Sequence, residues 1–263
     1  MQTHGERNRV ALVTGGTRGV GRGIARTLAR EGIAVYLTGR SVTAAEGYDG
    51  CVALPCDHTN DAQVAAVFER IQREQGRLDI LVNNAWAGYE RMVEDGEFTW
   101  ARPFWLQPLW RWDAMLTVGV RGALVASQYA ARMMLPLRAG LIVNLSFWAA
   151  QKYLANVVYG VAKAATDKLT HDMAHELAPH GVCAVSLYPG LVRTEAVMAA
   201  AAYLDLTNSE SPEFIGRAIV ALAHDPERMR RSGQVLVAAR LGLEYGFTDI
   251  DGRQPRPLAL KDI

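Results

Sequence analysis

The stretch VALVTGGTRGVGRGIARTLAR, Val10–Arg30, decides the fold. Four apolar residues without alternation read as a strand buried on both faces, which requires helices above and below the sheet. After the glycine-rich turn, Ile24, Ala25 and Leu28 recur at helical spacing and predict an amphipathic helix over Val20–Glu31. A helix that begins behind such a turn offers unpaired N–H groups and a positive dipole end to an anion. Gly15, Gly19 and Gly21 would let the backbone turn tightly and approach a pyrophosphate closely. Glycine is common in any turn, so the spacing alone is weak. The strand before it and the helix after it favour a nucleotide site.

Working outward, AVYLTG (Ala34–Gly39) and CVALPCD (Cys51–Asp57) predict the second and third strands, and Asn60–Gln75 a helix. LDILVNNA (Leu78–Ala85) predicts the fourth strand, Trp112–Met134 a long helix and LIVNLS (Leu141–Ser146) the fifth strand. A second long helix over Val157–Leu177 leads to VCAVSLYPG (Val182–Gly190), then to a helix over Ser211–His224 and to QVLV (Gln234–Val237). This alternation predicts an α/β fold: one doubly wound Rossmann domain over residues 1–263, with seven parallel strands and helices on both faces. Two stretches break the rhythm. Residues 86–112 hold Trp86, Tyr89, Phe98, Trp100, Phe104, Trp105, Trp110 and Trp112 among prolines and charges. Such a long connection reads as the roof of an apolar pocket, as a loop burying its own tryptophans, or as an oligomer contact. The tail 240–263 is irregular, with no role legible in it.

Composition narrows the partners. The net charge of +1 gives no electrostatic reason to expect nucleic acid or an anionic membrane. No apolar run approaches the ~20 residues that span a bilayer, and the polar start MQTHGERNRV lacks the apolar core of a signal peptide. Cys51, Cys56 and Cys183 show no metal-ligand spacing and suit a reducing, cytoplasmic setting. HDMAHE (His171–Glu176) lacks the glutamate beside its first histidine that a zinc-protease helix needs, so no metal is expected.

The second strand ends in YLTGR, with Arg40 where an NAD site usually places an acid, and Arg18 lies inside the glycine turn. Two guanidiniums there could fork onto a 2′-phosphate, which favours NADP(H) over NAD(H); two surface arginines in an arginine-rich chain are the alternative. Asp57 could accept from an adenine amino group or cap the next helix, a role for which Asn60 competes. Asn83 and Asn84 lie at the carboxyl edge of the sheet, either lining a ligand or holding a turn. Tyr159 and Lys163 are four apart on one helix and share a face. A phenol ionises near ~10, and a neighbouring ammonium favours its anion, so the pair suits a general acid for carbonyl reduction or a base in reverse. Only four lysines occur among 28 basic residues, which gives Lys163 added weight.

TGGTRGVG (Thr14–Gly21), NNA (Asn83–Ala85), YGVAK (Tyr159–Lys163) and Pro189-Gly190 followed by Thr194 resemble, in order and spacing, the signatures of the short-chain dehydrogenase/reductase superfamily. The resemblance covers essentially the whole chain. It implies a sheet order of 3-2-1-4-5-6-7 and NADP(H) held by Gly15, Thr17, Arg18, Gly19, Val20, Gly21, Arg40, Asp57, His58, Asn84 and Ala85. It further implies that Pro189, Gly190, Val192 and Thr194 hold the carboxamide end, that Lys163 bonds the nicotinamide ribose, and that Ser146, Tyr159 and Lys163 act on a carbonyl or alcohol. A homodimer or homotetramer through the long helices is implied in the same way.

Two departures stand out. TVGVRG puts Gly119 where the family usually has a relay asparagine, so a water or backbone group is expected in its place. Counting back thirteen residues from Tyr159 gives Ser146, whereas counting forward from Asn144 in NLSF puts Phe147 at the usual serine position. Ser146 therefore either orients the carbonyl or caps the sheet edge. Trp86, Trp148 and Tyr153 are candidate neighbours of a bulky apolar small-molecule substrate. The rival reading is an NADP-binding sensor or scaffold with little catalysis, and the intact Tyr159–Lys163 pair argues against it.

Overall fold

Val10–Val13 (β1) buries all four side chains, and Gly19–Arg30 (α1) follows the glycine turn, as the pattern of apolar residues requires. The structure, a computed structural model, describes residues 9–42 and 47–263; the polar start at residues 1–8 lies outside them. Ala34–Gly39 (β2), Val52–Pro55 (β3), Asp61–Gln75 (α2) and Ile80–Asn83 (β4) complete the first half. One continuous helix, α3, then runs through Leu109–Asp113, a π-helical stretch at Ala114–Arg121, and Gly122–Met134. It starts earlier than its apolar pattern suggests. Gly140–Leu145 (β5), Val157–Leu177 (α4), Val182–Tyr188 (β6), Pro212–His224 (α5), Val235–Val237 (β7) and Ala238–Tyr245 (α6) follow. The last helix lies partly in the tail expected to be irregular.

The seven strands are parallel, with β1 paired to β2 on one side and β4 on the other, and the spatial order is 3-2-1-4-5-6-7. Side chains alternate along each strand and so feed two cores. Ala11 and Val13 face Ile24, Leu28, Ile215 and Ile219 of α1 and α5. Val10 and Leu12 face Val67, Ile71, Ala126, Ala130 and Ala174 of α2, α3 and α4. Helices α1 and α5 pack so closely that a Cβ on Gly23 would lie 2.2 Å from that of Pro212. No helix among the described residues is long and apolar enough to cross a membrane.

The tail has a definite task. Asp249 is buried, accepts from the Ser211 N–H at 2.9 Å and pairs with Arg193 at 2.8 Å. Arg193 also donates to the Ser209 carbonyl at 2.7 Å. The chain end thereby clamps the loop after β6 against the start of α5. Removing one partner from a largely buried pair strands the other. Asp249→Ala is expected to cost about 3 kcal/mol in urea unfolding, whereas Asp251→Ala, at the exposed end of the cluster, should cost far less.

Candidate active site

The order of the sheet reverses between β1 and β4, and one hydroxyl stitches the two strand ends together. Thr14 Oγ1 accepts from the N–H groups of Asn84 and Ala85, each at 3.0 Å. Asn84 Nδ2 donates in turn to the carbonyls of Thr14 and Gly15, at 3.0 and 2.9 Å. A Cβ on Gly21 would lie 2.4 Å from both the Gly15 carbonyl oxygen and Asn84 Nδ2, so these backbone layers close only with glycine. Of the two readings of Asn84, the turn-holding one describes these bonds. Asn83 Nδ2 likewise turns inward, to Asn144 Oδ1 at 2.8 Å.

His58 is also a support. Its Nε2 lies 2.8 Å from Thr38 Oγ1, which accepts from the Gly15 N–H, and burial pushes its pKa down to about 4. Asp57 folds back onto the N–H and hydroxyl of Thr59, bonds that hold its carboxyl below the usual range, while Asn60 caps α2. Thr17 packs over Gly39, and Val20 packs against the α1–α5 core.

Around this turn the anion-seeking groups hold carboxylates of the chain itself. Arg18 and Arg40 converge on Glu90, at 3.7 and 3.4 Å. The Gly19 N–H, at the N-terminus of α1, donates to Glu195 Oε2 at 3.1 Å. Neither glutamate carries a signal in the sequence, because both arrive on connections whose course only the fold determines. Farther along, the Gly190 N–H after Pro189 donates to the buried carboxyl of Glu210 at 2.8 Å. Burial pushes that carboxyl up to about 7. Val192 pairs with Glu210 in a two-residue parallel bridge, and Thr194 caps the short helix Glu195–Ala199.

At the other end of the cleft, Asn156 caps α4. Its Oδ1 accepts from the Tyr159 N–H at 2.9 Å, and its Nδ2 donates to the Trp100 carbonyl at 2.9 Å. One side chain thus sets the start of the helix and ties it to the aromatic insert. The insert is organised around fully buried Arg111, which donates to Thr99 Oγ1 at 2.9 Å and the Arg91 carbonyl at 3.0 Å and lies over Trp110 at 5.0 Å. Part of the insert packs on Tyr159. Trp86, Tyr89 and Trp100 surround the Tyr159 ring at 5.8, 5.9 and 5.4 Å, and Phe147 approaches at 6.5 Å. Phe104, Trp105 and Leu109, by contrast, are exposed.

Lys163 lies one turn beyond Tyr159. Its Nζ donates to the Leu145 carbonyl at 3.2 Å and sits 3.9 Å above the Trp86 ring. The expectation that Lys163 lowers the Tyr159 pKa is corrected here. Burial dominates both groups: it pushes Tyr159 up to about 12, opposed by the Tyr89 hydroxyl, and Lys163 down to about 7, opposed by Asp167. The aromatic roof that desolvates the pair could not be priced from the Tyr-x-x-x-Lys spacing.

Of the two readings of Ser146, the backbone-capping one describes its bond. Ser146 is buried and donates to the Lys163 carbonyl at 3.3 Å, while Phe147 turns towards Tyr159. Alternation explains this: Ser146 shares the face of Asn144, which bonds Thr170 of α4 at 2.8 Å. Trp148 packs edge-on against Tyr188 at 5.2 Å, and Tyr153 is exposed. Of the three tryptophan and tyrosine candidates for substrate contact, Trp86 alone reaches the Tyr159 ring. That same indole lies against Gly119, for a Cβ there would lie 2.5 Å from Trp86 Cζ3.

Folding lowers the affinity of Lys163 for its proton from the ordinary 10.5 to about 7. Its burden on stability is therefore full below pH 7 and fades as the pH rises towards 10.5. Lys163→Met should stabilise the protein more at pH 6 than at pH 9, by a difference on the order of 2 kcal/mol in urea unfolding.

The chain is similar to known proteins in sequence and in fold. The family model described as short chain dehydrogenase matches residues 9–204. Dehydrogenase/reductase SDR family member 1 of Mus musculus is 43% identical over 94% of this chain and 85% of its own length. The Homo sapiens protein of the same name is 42% identical over 93% and 84%. Among solved structures, a short-chain type dehydrogenase/reductase from Mycobacterium marinum superposes with a TM-score of 0.74 at 27% identity, covering 87% of this chain and 93% of that one. A variant of ElxO with NADPH bound has the same fold, with a TM-score of 0.74 at 22% identity over 88% and 97%. With a family model and near full-length relatives matching a seven-stranded sheet that brings Tyr159 and Lys163 together, the chain belongs to the short-chain dehydrogenase/reductase family.

Proposed function

We propose that the protein is an NADPH-dependent reductase of a bulky apolar carbonyl, able to oxidise the corresponding alcohol in reverse. The observation that carries the cofactor is the pair of internal carboxylates. Glu90 between Arg18 and Arg40, and Glu195 on the Gly19 N–H, occupy positions suited to a 2′-phosphate and a pyrophosphate. The ElxO variant, whose fold is shared, carries NADPH. The donors present therefore fit a dinucleotide with a third phosphate: Arg18 and Arg40 for the 2′-phosphate, the α1 N-terminus for the pyrophosphate, and the 189–194 loop for the carboxamide.

When bound, the reduced nicotinamide supplies the hydride. Tyr159 gives the proton from its Oη to the carbonyl oxygen, and Lys163 holds the nicotinamide ribose. Asn156 and Arg111 keep the tyrosine and its roof in place. Ser146, bonded to the Lys163 carbonyl, serves this reading as a support for α4, leaving Tyr159 as the main donor to the carbonyl oxygen. Trp86, Trp100 and Phe147 exclude water and suit an apolar substrate. A soluble cytoplasmic homo-oligomer joined through α3 and α4, whose Leu124, Val157 and Val161 are exposed, completes the proposal.

The enclosure of Tyr159, only 8% exposed, favours one second reading, an NADP-binding protein with little turnover. Loss of NADPH absorbance over a panel of bulky ketones, quinones and aldehydes separates the two. The wild type should turn over at least one of them, and Tyr159→Phe should lose at least about a hundredfold; activity surviving in the variant removes Tyr159 from its role. Glu90→Gln should tighten NADPH binding by up to about fivefold and leave NADH unchanged, read by fluorescence titration.

A further inference from the structure

We infer that Trp86 is the positioning residue for Lys163, its indole face holding the ammonium in place of any side chain at residue 119. The inference deepens the reductase reading of Tyr159 and Lys163 and rests on it. Lys163 is 6% exposed, and the one hydrogen bond its three N–H groups make among the described residues is to the Leu145 carbonyl. No carboxylate among these residues lies within ion-pair reach of it. Asp167, one turn further along α4, is hydrogen-bonded by the Tyr188 hydroxyl. Beyond that carbonyl, the nearest aromatic face to Nζ is the Trp86 ring at 3.9 Å, against 5.7 Å for the ring of Tyr159.

The geometry is reciprocal. A Cβ on Gly119 would lie 2.5 and 2.6 Å from Cζ3 and Cε3 of Trp86, so the indole and a side chain at 119 exclude each other. Gly119 stands in the π-helical stretch Ala114–Arg121, a departure from α-helix found most often beside functional sites. The Trp86 Nε1–H is buried and has no acceptor among the described residues, so the indole is not held there by its own hydrogen bond. What the site uses is the ring face, braced edge-on against Tyr159 at 5.8 Å and 79°.

Lysine scarcity makes the contact measurable. With lysines only at 152, 163, 168 and 261, a protein labelled with [ε-13C]lysine gives four ε-CH2 resonances. Lys163→Arg identifies the one from Lys163. An ammonium seated over an indole should have its ε-CH2 protons shifted upfield of the other three, and Trp86→Leu should abolish most of that shift. In turnover, Trp86→Phe keeps a ring face and should lose at most about threefold, while Trp86→Leu should lose at least about tenfold with NADPH still bound. Gly119→Asn alone should be inactive or unfolded, and Trp86→Gly combined with Gly119→Asn should regain turnover over Trp86→Gly. The inference is overturned if the Lys163 resonance matches the other three, if Trp86→Leu leaves it unmoved, or if Trp86→Leu and Trp86→Phe turn over equally. A wild type inert towards every carbonyl overturns the reductase reading instead, and the Lys163 resonance still decides the contact.

Discussion

The hydroxyl of Thr14 binds the end of β1 to the end of β4 at the point where the strand order reverses, and both halves of the site are placed by that stitch. From β1 the chain turns through the glycines into α1. From β4 it enters the aromatic insert. The two connections leave in opposite directions and open a crevice at the carboxyl edge. If the strand ends drifted apart, the Gly15 turn would lose Asn84, and Trp86 would no longer reach Lys163. The shape of the glycine turn and the placing of Lys163 are one constraint seen from two sides.

The second constraint is electrical. An ammonium and a phenol are both removed from water by the same aromatic side chains, and desolvation outweighs Tyr89 at the phenol and Asp167 at the ammonium in setting their proton affinities. Such a site is costly to fold and gains from any charge that arrives with a ligand. Placing functional groups where they lower stability is a recurring property of active sites. Here the cost is contained by Asn156 and Arg111, polar side chains that satisfy backbone groups of the insert while anchoring it to α4 and α3.

Much of this was legible in the chain. The bounds of β1, β2 and α4 follow from local apolar pattern, and the Asn60 cap and the Tyr159–Lys163 face need only neighbouring residues. What could not be read depends on partners far apart in sequence. Gly119 meets Trp86 across 33 positions, and Glu90 and Glu195 reach their donors only after the sheet has formed. Spacing to Tyr159 leaves Ser146 between two roles, and strand alternation from Asn144, which turns its hydroxyl towards α4, favours the capping one. Family spacing locates a residue along the chain, and the pleat decides which way it faces.

The clamp formed by Asp249 on Arg193 and Ser211 has a temporal side. During synthesis the glycine turn, Tyr159 and Lys163 all emerge well before Asp249, so the fastening of the loop after β6 to the start of α5 is completed late. A nascent chain still short of Asp249 would carry a nearly complete sheet with one wall of its cleft unfastened. A cut in the chain ahead of Asp249 would be felt first in that wall, and only afterwards around Tyr159 and Lys163.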